Sequence, residues 1–227
     1  MDAIAGWSIV LAWTPPGNNT GRAAVKIAYI TAGAAGMYCG NCLRDHSLAV
    51  ALRQLGEKVT LVPIYTPLLT DLESGAELKR GPVFFNGLRA YLEQHVPYLR
   101  EPRPVIDRII GSRPVDTILS RIAVSTEASR LGPMTHSMLL GEEGNQRKEI
   151  EELLSWLKND LQPDIVHISN LLLIGMARRF KEVLKVPVVC SMQSEDHFIE
   201  DLPEPHREGC VAEIRSRARE VDGLVAV

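Results

Sequence analysis

The chain has 227 residues, 45% of them hydrophobic, enough to build the core of one generous domain. A formal charge of −3 and a pI near 6.1 offer no broad basic field, which argues against a grip on a nucleic-acid backbone as the main task. The four cysteines, at 39, 42, 190 and 210, are few for a disulfide scaffold. MDAIAGWSIVLAW has no basic leader, and no segment is apolar over a bilayer's thickness; the expectation is a soluble, cytoplasmic protein with reduced thiols.

Residues 1–24 end in TPPGNNTGRAA, whose Pro, Gly and Asn favour turns and open chain, so a flexible extension is expected before one domain over 25–227. KIAYITAG, Lys26 to Gly33, predicts a buried strand stopped by glycine. Leu48, Leu52 and Leu55 recur at helical spacing as far as Gly56, and VTLVPIY, Val59 to Tyr65, predicts the next strand. Strand, glycine turn, helix and strand make one βαβ unit with a right-handed crossover. Between Pro63 and Pro133 prolines are frequent; the pattern suggests short helices over 87–95, 104–110 and 115–129 in an insertion too long for an ordinary crossover.

From Asn145 the regularity returns. Ile150, Leu153, Leu154, Leu157 and Leu161 mark one helix face, PDIVHIS predicts a strand, NLLLIGMARRFKEVL a helix and VPVVCSM another strand. QSEDHFIEDLPEP is expected as an acidic loop, followed by a charged helix over 206–220 and a last apolar run, GLVAV. This alternation predicts an α/β fold, a Rossmann-like doubly wound parallel sheet with helices on both faces. Ligands of such sheets sit beyond the carboxyl ends of the strands, so the loops after Ala32, Ile168 and Met192 should face one crevice.

TAGAAGMYCGNCLRDH, Thr31 to His46, admits several chemistries. Cys39-Gly-Asn-Cys42 follows a strand and opens a helix, where the positive helix end lowers a thiol pKa, as at a thioredoxin-like site; the long parallel sheet suggested by the rest of the chain opposes that reading. Zinc on Cys39, Cys42 and His46 lacks a fourth ligand, so no metal is expected. The glycines do not match a dinucleotide fingerprint, and no carboxylate ends the second strand, which argues against NAD. A glycine-rich turn entering a helix can also cradle phosphate on bare backbone N–H groups, or can simply be a tight turn.

GAAGMYCGNCLRDHSLAVALRQLGEKVTLVPIYTPLLTD, SMLLGEEGNQRKEIEELLSWLK, PDIVHISNLLLIG and PVVCSMQSEDHFIEDLPEP together resemble the amino-terminal half of glycosyltransferase family 4 enzymes, retaining GT-B transferases of the glycogen-synthase-like type. The likeness runs from about Lys26 to Val227. It implies a GT-B N-terminal domain that receives the acceptor, with a nucleotide-sugar donor held by a second domain whose paired E-x7-E glutamates would follow residue 227. That domain would act in cis or in trans, and the isolated chain would be inactive. Neither a cofactor beyond the donor substrate nor a membrane partner is implied.

By the same resemblance Ala35, Gly36 and Met37 would approach the donor diphosphate, with Arg44 either reaching a phosphate or pairing at the surface with Asp45 or Glu57. Family members often carry histidine after the strand that here is VPVVCSM; this chain has Gln193, which cannot exchange a proton and is suited to hydrogen bonding a sugar hydroxyl. Gln193, Glu195 and Asp196 are the candidate catalytic-site residues, the two carboxylates as contacts to acceptor hydroxyls. Tyr65, Thr66, Asn86 and Gly87 fall where the family shapes its acceptor pocket. His167 is expected as a core histidine and Asn170 as a helix N-cap. The arginines between 100 and 130 read as a solvated helical face.

Overall fold

The computed structural model describes residues 23–32, 40–64, 79–80 and 128–227. Their strands are β1 (Lys26–Thr31), β2 (Lys58–Pro63), a two-residue edge β3 (Lys79–Arg80), β4 (Ile165–Ile168), β5 (Val188–Met192) and β6 (Gly223–Ala226). They form one parallel sheet in the order β3-β2-β1-β4-β5-β6, the Rossmann-type arrangement, with chain direction across the sheet reversing between β1 and β4. At that reversal the described elements that follow β1 and β4, the helix Gly40–Gln54 and the 3-10 turn Leu171–Met176, pack on opposite faces of the sheet.

Alternation along each strand sorts the two faces. Ala28, Ile30, Val62, Ile64, Val166, Ile168, Val188 and Cys190 point into the larger core. There they meet α2 (Ala128–Leu139), α3 (Arg147–Trp156) with its π-helical continuation Leu157–Leu161, the 3-10 turn Leu171–Met176 leading into α4 (Ala177–Leu184), and α6 (His206–Arg217). Parallel strands buried on both faces need such near-continuous apolar runs. The other face carries α1 (Gly40–Gln54) over a small apolar cluster, Tyr29, Cys42, Ala49, Val59 and Leu61. At roughly 1.5–3 kcal/mol per fully buried large apolar side chain, most hydrophobic stabilisation therefore lies on the α3–α4 side.

At the amino edge the sheet is closed by a repeated device. Glu57, Asp164 and Asp222 each immediately precede a strand and accept a neighbouring strand's first N–H: Val25 to Glu57 (2.6 Å), Lys26 to Asp164 (2.7 Å) and Val188 to Asp222 (2.8 Å). Lys181 also pairs with Asp222 at 2.8 Å. These acids satisfy donors that the parallel ladder leaves over, and leave the opposite edge for ligands.

Three expectations change. Leu55 is 59% exposed, because α1 ends before it and Gly56 reverses the chain at φ +95°; the stripe facing the sheet is Cys42, Asp45, His46 and Ala49. The acidic segment after β5 is not all loop: Glu195–Glu200 is a short helix, α5. The helix expected from Asn170 begins as a 3-10 turn whose N-cap Asn170 accepts from Leu172 N–H at 3.1 Å. Residues 1–22, and the helices expected over 87–95, 104–110 and most of 115–129, lie outside the described residues.

Backbone packs directly on backbone where α2 ends. A Cβ on Gly175 would run into the carbonyl oxygens of Met138 and Leu139, and one on Gly141, at φ +63°, into the carbonyl of Gly175. Gly175→Ala should therefore lower stability by roughly 2–3 kcal/mol in urea unfolding, while Gly40→Ala, which meets open space, changes it little. A neutral Gly175→Ala would show that the segments separate freely.

Candidate functional site at the carboxyl edge

The side chains that share a face with α1 become polar toward the strand ends: Tyr29 and Thr31 on β1, His167 and Ser169 on and after β4, Ser191 and Gln193 on and after β5, all buried. Strand periodicity puts these alternate residues on one surface, and register places Tyr29 beside His167. Their rings lie 4.4 Å apart between centroids, and His167 Nε2 is 2.8 Å from Ser191 Oγ.

Asp45, one turn into α1 and 1% exposed, sits at the centre. Its Oδ1 accepts from Tyr29 Oη at 2.9 Å and Gln193 Nε2 at 3.0 Å, and its Oδ2 accepts from Thr31 Oγ1 at 2.7 Å. Burial raises its pKa, opposed by the hydrogen bonds from Thr31, Gln193 and Tyr29. Tyr29 is raised in turn, first by its own burial and then by the Asp45 charge. A carboxylate accepting from three side chains is satisfied as an anion, so the cluster holds a fixed negative charge under the β1 terminus.

Gln193 is the residue this cluster orients. Its Nε2 donates to Asp45 Oδ1 and, at 2.5 Å, to the Ser169 carbonyl, so acceptors take both amide hydrogens and the flip state is fixed. Its Oε1 is buried without a hydrogen-bond partner. An unpaired buried acceptor costs about 1–3 kcal/mol, which a donated hydrogen bond from a ligand would offset.

Glu195 has a different task from the contact expected of it. It is 6% exposed, and its oxygens accept from Leu171 N–H (2.9 Å) and Gln193 N–H (2.6 Å), tying the β4 and β5 termini together. Asp196 beside it is exposed. Arg44 makes none of the surface pairs expected with Asp45 or Glu57; its Nη1 is buried and unpartnered, and its charge acts on Tyr29 and His167. Ala35, Gly36, Met37, Cys39, Tyr65, Thr66, Asn86 and Gly87 lie outside the described residues. Cys42, Cys190 and Cys210 are buried; burial drives the Cys190 thiol strongly upward and Cys210 to about 11, against nucleophilic use of either.

Sequence reasoning singled out Gln193 but not Asp45, which accepts from its amide. The available signal was an acid on the apolar stripe of α1, three residues after Cys42 and four before Ala49. No protein-family model, curated protein or solved structure matches this chain.

Burial, then the Arg44 cation, depresses His167 to about 4 from an ordinary 6.5. The unfolded chain takes up this proton below pH 6.5 and the folded chain does not, so His167 favours folding above 6.5 and that contribution is lost as pH falls toward 4. The difference is on the order of 3 kcal/mol. Urea midpoints followed from about pH 7 to about pH 4 should fall less steeply in His167→Phe than in the parent. Parallel profiles would show that His167 takes up its proton equally in both states.

Proposed function

We propose that this chain is the acceptor-side lobe of a retaining GT-B glycosyltransferase of the family 4 type, moving a hexose from a nucleotide sugar to a carbohydrate or related hydroxyl. The observation that carries the reading is the clamped Gln193 carbonyl: a buried acceptor without a partner, at the edge where doubly wound sheets bind ligands, aimed by Asp45 and Ser169. Such a group recognises a hydrogen-bond donor, and a sugar hydroxyl is the donor that the sequence resemblance would bring there.

The site is built for holding more than for proton transfer. Gln193 does not titrate near neutrality, both Glu195 oxygens are occupied by backbone, and Asp196 faces solvent. In this reading the donor diphosphate is stabilised by the glycine turn before α1, by Arg44 and by a second lobe in cis or trans. The acceptor hydroxyl attacks from the face the leaving group departs, and no protein nucleophile is needed. Arg44 Nη1, buried and unspent, supports this division by offering a cation beside a neutral acceptor.

Ligand-observed NMR titration of the full chain with methyl hexosides tests the proposal. Binding should weaken about tenfold or more in Gln193→Leu, which removes the acceptor, with the urea midpoint checking that the variant folds. Absence of hexoside binding, or equal affinity in a folded Gln193→Leu, would reject it.

A further inference from the structure

Across the crevice from the Gln193 network, on the larger core's side of the sheet, a cavity of about 190 Å³ opens between α2, the 3-10 turn and α5. Ala32, Met134, Met138, Leu172, Leu173 and Phe198 supply most of its wall, and among the described residues Thr135 and Asn170 are its polar members. A dry cavity of about 150 Å³ accommodates benzene, so this one has room for a six-carbon group. The cavity is open on one side, and an apolar group entering it would take apolar wall out of water.

Its position says which occupant. The peptide joining Ser169 to Asn170 belongs to both walls: the Ser169 carbonyl accepts from Gln193 Nε2, and Asn170 lines the cavity. On β1, Thr31 holds Asp45, and the next residue, Ala32, lines the cavity. Ser169 and Asn170, like Thr31 and Ala32, are consecutive residues, so the polar network and the apolar cavity flank the same strand ends.

We infer that this cavity is a subsite for a small apolar group, an aryl ring or an alkyl chain of about six carbons, carried by the molecule whose hydroxyl meets Gln193. The substrate class is thus an amphipathic alcohol or glycoside and not a bare sugar. The sugar half of this statement rests on the proposed function; the apolar half rests on the cavity alone.

The test is ligand-observed NMR titration of the full chain with methyl glucoside and mannoside, their hexyl counterparts, and 1-hexanol. Each buried methylene is worth about 0.8 kcal/mol, close to fourfold in affinity, so the hexyl glycosides should bind at least tenfold more tightly than the methyl ones. Two variants fill the cavity from different sides, Ala32→Leu and Met134→Trp. In either, if folded by circular dichroism, the hexyl advantage and 1-hexanol binding should disappear while methyl-glycoside binding persists. Binding of 1-hexanol that the filling variants abolish, without binding of any methyl glycoside, would support the apolar subsite and reject the sugar reading. Methyl and hexyl glycosides binding alike, no binding of 1-hexanol, or a hexyl advantage that survives both folded variants would overturn the subsite.

Discussion

A buried carboxylate must be surrounded by donors or lose its charge, and in this protein Asp45 meets that requirement with side chains from two separate parts of the chain. Tyr29 and Thr31 come from β1 and Gln193 from the end of β5, while Asp45 itself belongs to α1. The small apolar cluster beneath α1 holds few large side chains, so this network supplies much of what fixes the helix against the sheet. It also couples local chemistry to position. Anything that displaces Asp45 releases the amide of Gln193, whose orientation is set by that carboxylate and the Ser169 carbonyl.

The two edges of the sheet spend their polar groups differently. At the amino edge, Glu57, Asp164 and Asp222 are each matched to a strand-initiating N–H, and nothing in these pairs is left over. At the carboxyl edge Gln193 Oε1 and Arg44 Nη1 are buried without partners, an acceptor and a cation of the kind native interiors seldom leave unpaired. Glu195 ties the segments after β4 and β5 together through the backbone N–H groups of Leu171 and Gln193.

The crevice is also asymmetric across the sheet. Residues 29, 31, 167, 169, 191 and 193 face α1 and are polar, whereas the alternate residues face an apolar core that opens into a cavity beside the same strand ends. Period-two alternation puts the two characters on opposite faces of the same strand ends. Rigid strands and short turns hold both walls, as the backbone-on-backbone packing of Gly141 and Gly175 illustrates.

The amino-acid sequence by itself determined the order of elements and the parallel sheet, because strand and helix periodicities are local: Lys26–Thr31, Ile165–Ile168 and Val188–Met192 fall within the expected runs, and Asn170 caps as its type predicts. The resemblance also drew attention to Gln193, at the position after the strand VPVVCSM. What only the tertiary structure decided is the meaning of Asp45 and Glu195. In the sequence Asp45 looks like an ordinary surface acid and Glu195 like a ligand contact, and their partners lie up to 148 residues away. Hydrogen-bond partnership at that separation depends on strand register and helix placement, and no local pattern encodes it.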